Sequence, residues 1–169
     1  TVSNPNPITR STTRSSEDRG VPPRGVMDAE YGSQRREALP VMFRLESRAR
    51  VAVEAFRECA DPATDEETDG EMTVLDLGAA EGATLDVVHR MLGSQDSVGI
   101  EYARDLIGSA PALSPGVRLV EGDVTKPHPE VAPESRRLVL ALAVLEHLDD
   151  PAGLFIEATR ALEPGGLFV

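Results

Sequence analysis

The sequence predicts an α/β fold, a doubly wound and mostly parallel sheet, and three observations predict it. From Met72 onward, short apolar runs suited to strands alternate with segments whose apolar residues recur at helical spacing. The run M-T-V-L-D-L-G-A-A-E-G, Met72 to Gly82, passes from a strand covered on both faces straight into a turn of small and acidic residues. Acids then fall at or just past the ends of three successive strands, at Asp76, Glu101 and Asp123, so the topology carries all three to one edge of the sheet.

Composition bounds the rest. The 169 residues, 40% hydrophobic and 27% charged, suffice for one sizeable core. No apolar run is long enough to span a membrane and no basic start leads into an apolar segment, so the expected location is cytoplasmic. A net charge of -12 opposes a broad electrostatic grip on nucleic acid or anionic membrane. The lone cysteine, Cys59, has no internal disulfide partner; its place in an amphipathic pattern predicts a buried thiol. No Cys/His metal cluster is present, and nothing in the sequence indicates an oligomeric state.

Residues 1–27 are rich in Ser, Thr, Pro, Asn and Arg with almost no large apolar side chains, which predicts a disordered tail. Residues 28–71 form a helical segment and an acidic linker. Met42, Leu45, Ala49, Ala52 or Val53, and Phe56 share one helix face from Leu39 on, with Arg44, Glu46, Arg48, Arg50, Glu54 and Arg57 on the other. The run Asp61 to Glu71 holds six acids and no base; it reads as a solvated loop, since nothing there fixes ligand geometry.

Residues 72–169 form the sheet domain. Thr73 to Leu77 is the first strand. Asp76 within it is tolerable only near the strand's open end, where amides, water or a ligand satisfy it. Gly78, Ala79, Ala80 and Gly82 remove bulk where the next helix begins, which lets a ligand approach the backbone amides; an ordinary strand-to-helix turn has the same composition. Ala83 to Leu92 is a helix ended by Gly93, Ser97 to Ile100 a strand, Tyr102 to Ser109 a helix, and Val117 to Val120 a third strand. Leu138 to Leu142 is the fourth strand, Pro151 to Leu162 a helix stopped by Pro164-Gly165-Gly166, and Leu167 to Val169 the start of a fifth strand. An acid after the second strand suits two ribose hydroxyls, and one after the third can accept from an exocyclic amine. Three polar loop residues are the plainer account of the same acids.

These motifs carry a resemblance. V-L-D-L-G-A-A-E-G at Val74 to Gly82, G-I-E-Y at Gly99 to Tyr102, E-G-D-V at Glu121 to Val124, L-A-V-L-E-H-L-D-D-P at Leu142 to Pro151 and L-E-P-G-G at Leu162 to Gly166 resemble the ordered motifs of class I S-adenosylmethionine-dependent methyltransferases. The fit is closest to the quinone-biosynthesis and small-molecule branch. The resemblance implies a Rossmann-like fold with S-adenosylmethionine as cofactor and S-adenosylhomocysteine as product. It implies that Asp76, Gly78 and Gly82, with Ala79 and Ala80 between them, shape the methionine and ribose site. Glu101 would bind the ribose hydroxyls with Tyr102 beside it, Asp123 and Val124 would contact adenine, and Ala141 would lie near the methionyl part. Leu39 to Cys59 corresponds to the variable N-terminal lid. The family's sheet closes with a hairpin after its fifth strand, so a chain ending at Val169 implies truncation there.

Three departures qualify the resemblance. Ala80 stands at the middle glycine of the usual turn, Arg136 and Arg137 stand where a carboxylate often precedes the fourth strand, and Ala143 replaces the Glu that the metal-using branch carries, so no metal is expected. Methyl transfer from a sulfonium is an in-line displacement that needs positioning above all. A hydroxyl acceptor also needs a base, and His147 is the candidate; Glu146-His147 equally suits a pair that anchors its loop. The apolar L-A-V-L-E-H stretch lacks the acceptors that hold a planar amino group, which predicts a small-molecule or lipid-like acceptor rather than a nucleic acid. A nicotinamide-dependent oxidoreductase shares the Gly-rich turn, though Asp76 and the Leu162 to Gly166 motif count against it, and a cofactor-binding partner or regulatory module without catalysis shares the whole pattern.

Overall fold

A computed structural model describes residues 39–59 and 71–169. The expected tail, most of the acidic linker and residues 28–38 ahead of the lid helix lie outside the described residues. Ten elements follow one another: α1 (Leu39–Cys59), β1 (Thr73–Leu77), α2 (Ala83–Leu92), β2 (Asp96–Glu101), α3 (Arg104–Gly108), β3 (Val117–Glu121), β4 (Arg136–Leu140), a 3-10 turn (Leu145–His147), α4 (Ala152–Ala161) and β5 (Leu162–Phe168). The five strands form one sheet in the order β3-β2-β1-β4-β5, every pair parallel. The order reverses between β1 and β4, which makes their carboxyl ends the switch point where such sheets open a crevice.

Alternation along β1 and β4 sends side chains to two cores. Val74, Leu138 and Leu140 face Ala49, Ala52 and Val53 of α1 and Leu85 and Val88 of α2. Leu75, Leu77 and Val139 face Leu154, Ala158 and Ala161 of α4, with Val98 and Ile100 from β2. Each large aliphatic side chain so buried contributes about 1.5–3 kcal/mol. Asp76 shares the α1/α2 face with Val74 and sits one residue from the end of β1, paired with Gly99 and Leu140.

Several boundaries shift from the sequence reading. β4 begins at Arg136 and ends at Leu140, so Leu142 belongs to the following loop. Arg136 starts the strand because its buried guanidinium pairs with Asp96 of β2 at 2.6 Å, far from the open end. The Pro164-Gly165-Gly166 stop is a bulge rather than a loop: Arg136 pairs with Leu162 and Leu138 with Leu167, and the extra residues loop out between them. α3 has five residues rather than eight. On α1, Met42 is 41% exposed although the pattern put it on the apolar face, because it lies a turn before Leu45, where burial begins. Cys59 is exposed, not buried, at the final residue of that helix. No described helix is long and apolar enough to cross a membrane.

Candidate active site

The turn after β1 is folded back onto β2. The amides of Gly78 and Ala79 donate to the Ile100 carbonyl at 2.9 and 3.1 Å, and Gly82 donates to Ala79 at 2.8 Å. Glu101 clamps the two strand ends together: Oε2 accepts from the Ala80 amide at 2.9 Å and Oε1 from the Ala103 amide at 2.8 Å. Each carboxylate oxygen keeps a second lone pair for another donor. Gly99 makes the close approach possible, since a Cβ there would meet the Ala79 Cβ at 2.5 Å and Leu119 Cδ2 at 2.6 Å.

The missing side chains serve packing as much as ligand access. At Gly78, with φ +87°, a Cβ would lie 2.6 Å from Val144 Cγ2, so the space is taken by the loop after β4. Ala80 holds φ +50°, a left-handed conformation unusual for any residue but glycine, and is buried against Ala103 and Leu106.

Between this turn, α1 and the loop after β4 lies a cavity. Asp76, Gly78, Ala79, Ala80, Glu81 and Thr84 form one wall. Leu142, Ala143, Glu146 and His147 form the facing wall, and Leu45 and Arg48 of α1 complete the lining. Burial, and then the charge of Glu101, push the Asp76 carboxyl up to about 7. Glu81 is 2% exposed and its Oε2 has no hydrogen-bond partner.

The sequence-predicted residues therefore divide. Asp76, Gly78, Ala79, Ala80 and His147 meet at the cavity. Gly82, Glu101, Tyr102, Asp123, Val124 and Ala141 do not line it; they fall at or after the carboxyl ends of β1, β2, β3 and β4. Tyr102 is half exposed, whereas Val124 is buried in the α4-side core. Asp123 Oδ1 accepts from the Thr125 amide at 2.9 Å and hydroxyl at 2.6 Å, while Oδ2 meets Lys126 at 2.7 Å. Burial works against ionisation there, but those bonds hold the carboxyl below its usual range. Ala141 is half-buried and donates to the Val169 carbonyl at 2.9 Å.

Of the three histidines, His147 alone borders the cavity. His89 Nδ1 is 2.9 Å from Ser97 Oγ in the core, and His128 Nε2 is 3.3 Å from the Glu121 carbonyl. The side chains of Glu146 and His147 make no hydrogen bond among the described residues, so the loop-anchoring account of that pair finds no partner; the turn is held by the His147 amide donating to Val144 at 2.9 Å. Sequence reasoning missed Glu81, which lay in plain view as the one bulky side chain in the small-residue turn. It also missed Arg48, placed on the polar face of α1, where only the path of the helix over the sheet reveals what it borders.

Comparison with known proteins follows the same lines. Residues 75–169, more than half of the chain, match the family of methyltransferase domains. A trans-aconitate 2-methyltransferase of Acidovorax ebreus (strain TPSY) is 31% identical over 130 residues, covering 76% of this chain and 46% of that protein. A solved putative S-adenosyl-L-methionine-dependent methyltransferase from Methanococcus maripaludis superimposes with a TM-score of 0.64 at 18% identity, over 83% of this chain and 62% of that one. The plantazolicin methyltransferase BpumL, in complex with SAH, gives 0.59 at 15% identity over 79% and 48%. At such identities the two structures show the fold. The chain spans about half the length of the curated relatives it matches, or less.

Proposed function

From a chain that belongs to the class I, S-adenosylmethionine-dependent methyltransferases, we propose an enzyme that methylates a small-molecule or lipid-like acceptor, with His147 taking the acceptor's proton. The observation that carries the reading is the cavity at the switch point, with the Asp76 to Glu81 wall on one side and His147 on the other. The residues fit the cofactor. Glu101 retains lone pairs for ribose hydroxyls beside a turn already pinned in place.

S-adenosylmethionine supplies a methyl group on a sulfonium centre. A bond forms between the acceptor atom and that carbon as the carbon–sulfur bond breaks, its electron pair leaving the sulfur as a neutral thioether. The chain's part is to orient the two partners and to keep the approach narrow, which the facing walls support. For a hydroxyl acceptor, the His147 imidazole takes the departing proton. The relatives' name brings a second reading, a carboxylate acceptor. Such an acceptor is already an anion and needs no base; Glu81 and Glu146 around the cavity oppose it, while Arg48 on the same lining favours it.

Labelled S-adenosylmethionine incubated with the protein and fractionated extract tests the reading. Label is expected in the small-molecule or lipid fraction, whereas label mainly in RNA or protein overturns it. With the acceptor in hand, His147→Gln should lower turnover about 100-fold for a hydroxyl acceptor and leave cofactor affinity unchanged. An unaltered rate removes His147 as the base and returns the carboxylate reading. Cofactor binding with no transfer to any fraction selects the non-catalytic module.

A further inference from the structure

The loop after β3 carries a histidine that the mechanism leaves unused. His128 stands between Pro127 and Pro129, neither of which has an amide hydrogen, so the first one beyond it in the chain belongs to Glu130. That amide donates to His128 Nδ1 at 3.3 Å, while Nε2 lies 3.3 Å from the Glu121 carbonyl. The Val131 amide donates to the His128 carbonyl at 3.0 Å and closes a turn around the residue. The two ring contacts admit one protonation state. An amide only donates, so Nδ1 must present its lone pair; a carbonyl only accepts, so Nε2 must carry the hydrogen. A neutral imidazole satisfies both, whereas a proton on Nδ1 sets one N–H against another.

His89 is built the other way. Its Nδ1 meets Ser97 Oγ at 2.9 Å, Ser97 Oγ donates to Ser94 Oγ at 3.0 Å, and Ser94 Oγ donates to the Met72 carbonyl at 2.7 Å. With the Ser97 hydrogen so committed, His89 Nδ1 is the donor, and a second proton on that ring breaks none of these bonds. Of the two, His128 is the one that loses a bond when charged. Its ring lies against Gly122, where a Cβ would meet His128 Cδ2 at 2.8 Å and Ile100 Cγ2 at 3.0 Å. The Gly122 amide donates to the Glu101 carbonyl at 2.9 Å, so Gly122 is held between β2 and the imidazole, directly before Asp123 and Val124. The charged groups on these segments have partners of their own. Glu121 pairs with Arg104 at 2.9 Å, Asp123 with Lys126 at 2.7 Å and Glu130 with Arg118 at 3.3 Å, while Glu101 accepts from the Ala80 and Ala103 amides.

We propose that His128 is a positioning residue for the loop that carries Asp123 and Val124: neutral, it ties the end of β3 to Glu130 and seats Gly122; protonated, it releases Glu130 and lowers cofactor affinity. The inference rests on the cofactor reading above, in which Asp123 and Val124 meet adenine. His128 itself touches no ligand and acts through the loop. An imidazole changes charge between about pH 5 and 8, so affinity falls with acidity across that range.

Two measurements on the full chain test this. In proton–nitrogen correlation spectra of the free protein at about pH 8, His128 should carry its hydrogen on Nε2 with Nδ1 bare, and the opposite tautomer overturns the assignment. Titration calorimetry with S-adenosylhomocysteine then compares the wild type with His128→Asn, which keeps an acceptor near the Nδ1 position and does not titrate. The ratio of the two dissociation constants cancels the groups common to both experiments, Asp76 and the ligand's own included. Between about pH 8 and about pH 5.5 that ratio should move about threefold or more against the wild type, the size of one lost hydrogen bond. An unchanged ratio overturns the proposal and leaves the cofactor reading intact. If His128→Asn fails to fold, the wild type decides: the Glu130 amide shift should titrate with the midpoint of the His128 ring, and a shift indifferent to the ring overturns the proposal. Wild-type protein that binds no S-adenosylhomocysteine overturns the cofactor reading and this one with it.

Discussion

Two stretches face each other across the cavity and are built in opposite ways. From Gly78 to Gly82 every residue is buried or half-buried, the amides are tied to β2, and the space a Gly78 side chain would need is filled by Val144. From Leu145 to His147 every residue is exposed, and the side chains of Glu146 and His147 are bonded to nothing described. The first wall is over-determined and can present one geometry to a ligand that never varies. The second is fixed only through its backbone, so its side chains can change without disturbing the sheet, as suits the wall that meets the acceptor.

The contrast breaks most readily at Gly78, where the walls touch. Gly78→Ala must place a methyl 2.6 Å from Val144 Cγ2 and 2.9 Å from its Cβ, in a backbone already at φ +87°. Overpacking and left-handed strain together should cost about 3–4 kcal/mol, read by urea unfolding. Adding Val144→Ala removes the nearer contact and should restore part of the loss. If it restores nothing, Val144 is not what holds the first wall in place.

A second, smaller effect lies under that wall. The folded Asp76 carboxyl titrates near 7, against 3.8 for an unperturbed one, chiefly through burial and secondarily through Glu101. Between about pH 4 and 7 the folded chain keeps a proton that the unfolded chain has released, so this group's contribution to stability falls as pH rises, by about 1.4 kcal/mol per unit. Asp76→Asn has no such slope. It should exceed wild type in stability by about 2 kcal/mol at pH 8, the amide recovering part of the penalty, and trail it by about 2 kcal/mol near pH 4, since the slope sums to about 4 kcal/mol between the two. A gap independent of pH between unfolding curves at the two ends would show that Asp76 is not held neutral by its surroundings.

The same contrast explains what the sequence made legible. The strands and the Asp76 to Gly82 turn were readable because burial on both faces forces apolar runs, and because a strand that must turn at once into a helix admits few residues. Glu101 and Asp123 were readable as strand-end acids, although their hydrogen bonds to Ala80, Ala103 and Thr125 were not, since those depend on how three loops converge. Arg48 was illegible because a polar position on an amphipathic helix looks the same facing water or facing a cavity. The bulge in β5 was hidden because Pro-Gly-Gly ends helices and interrupts strands alike, and only the pairing of Arg136 with Leu162 decides between them.

The smallest expected effect is the sharpest test of over-determination. Ala80 stands where related turns carry glycine, at φ +50°, and its methyl is buried with Ala103 and Leu106. Ala80→Gly relieves left-handed strain of about 1–2 kcal/mol. Against this, it loses the burial of one methyl, about 0.8 kcal/mol, and adds unfolded-state freedom, about 0.4–1 kcal/mol. The three terms nearly cancel, so the change measured by denaturant titration should stay within about 0.5 kcal/mol. Stabilisation beyond 1 kcal/mol would mean that strain outweighs packing and that the turn is held by Glu101 against its own preference. Destabilisation of that size would mean that the Ala80 methyl, rather than the Glu101 clamp, fixes the wall.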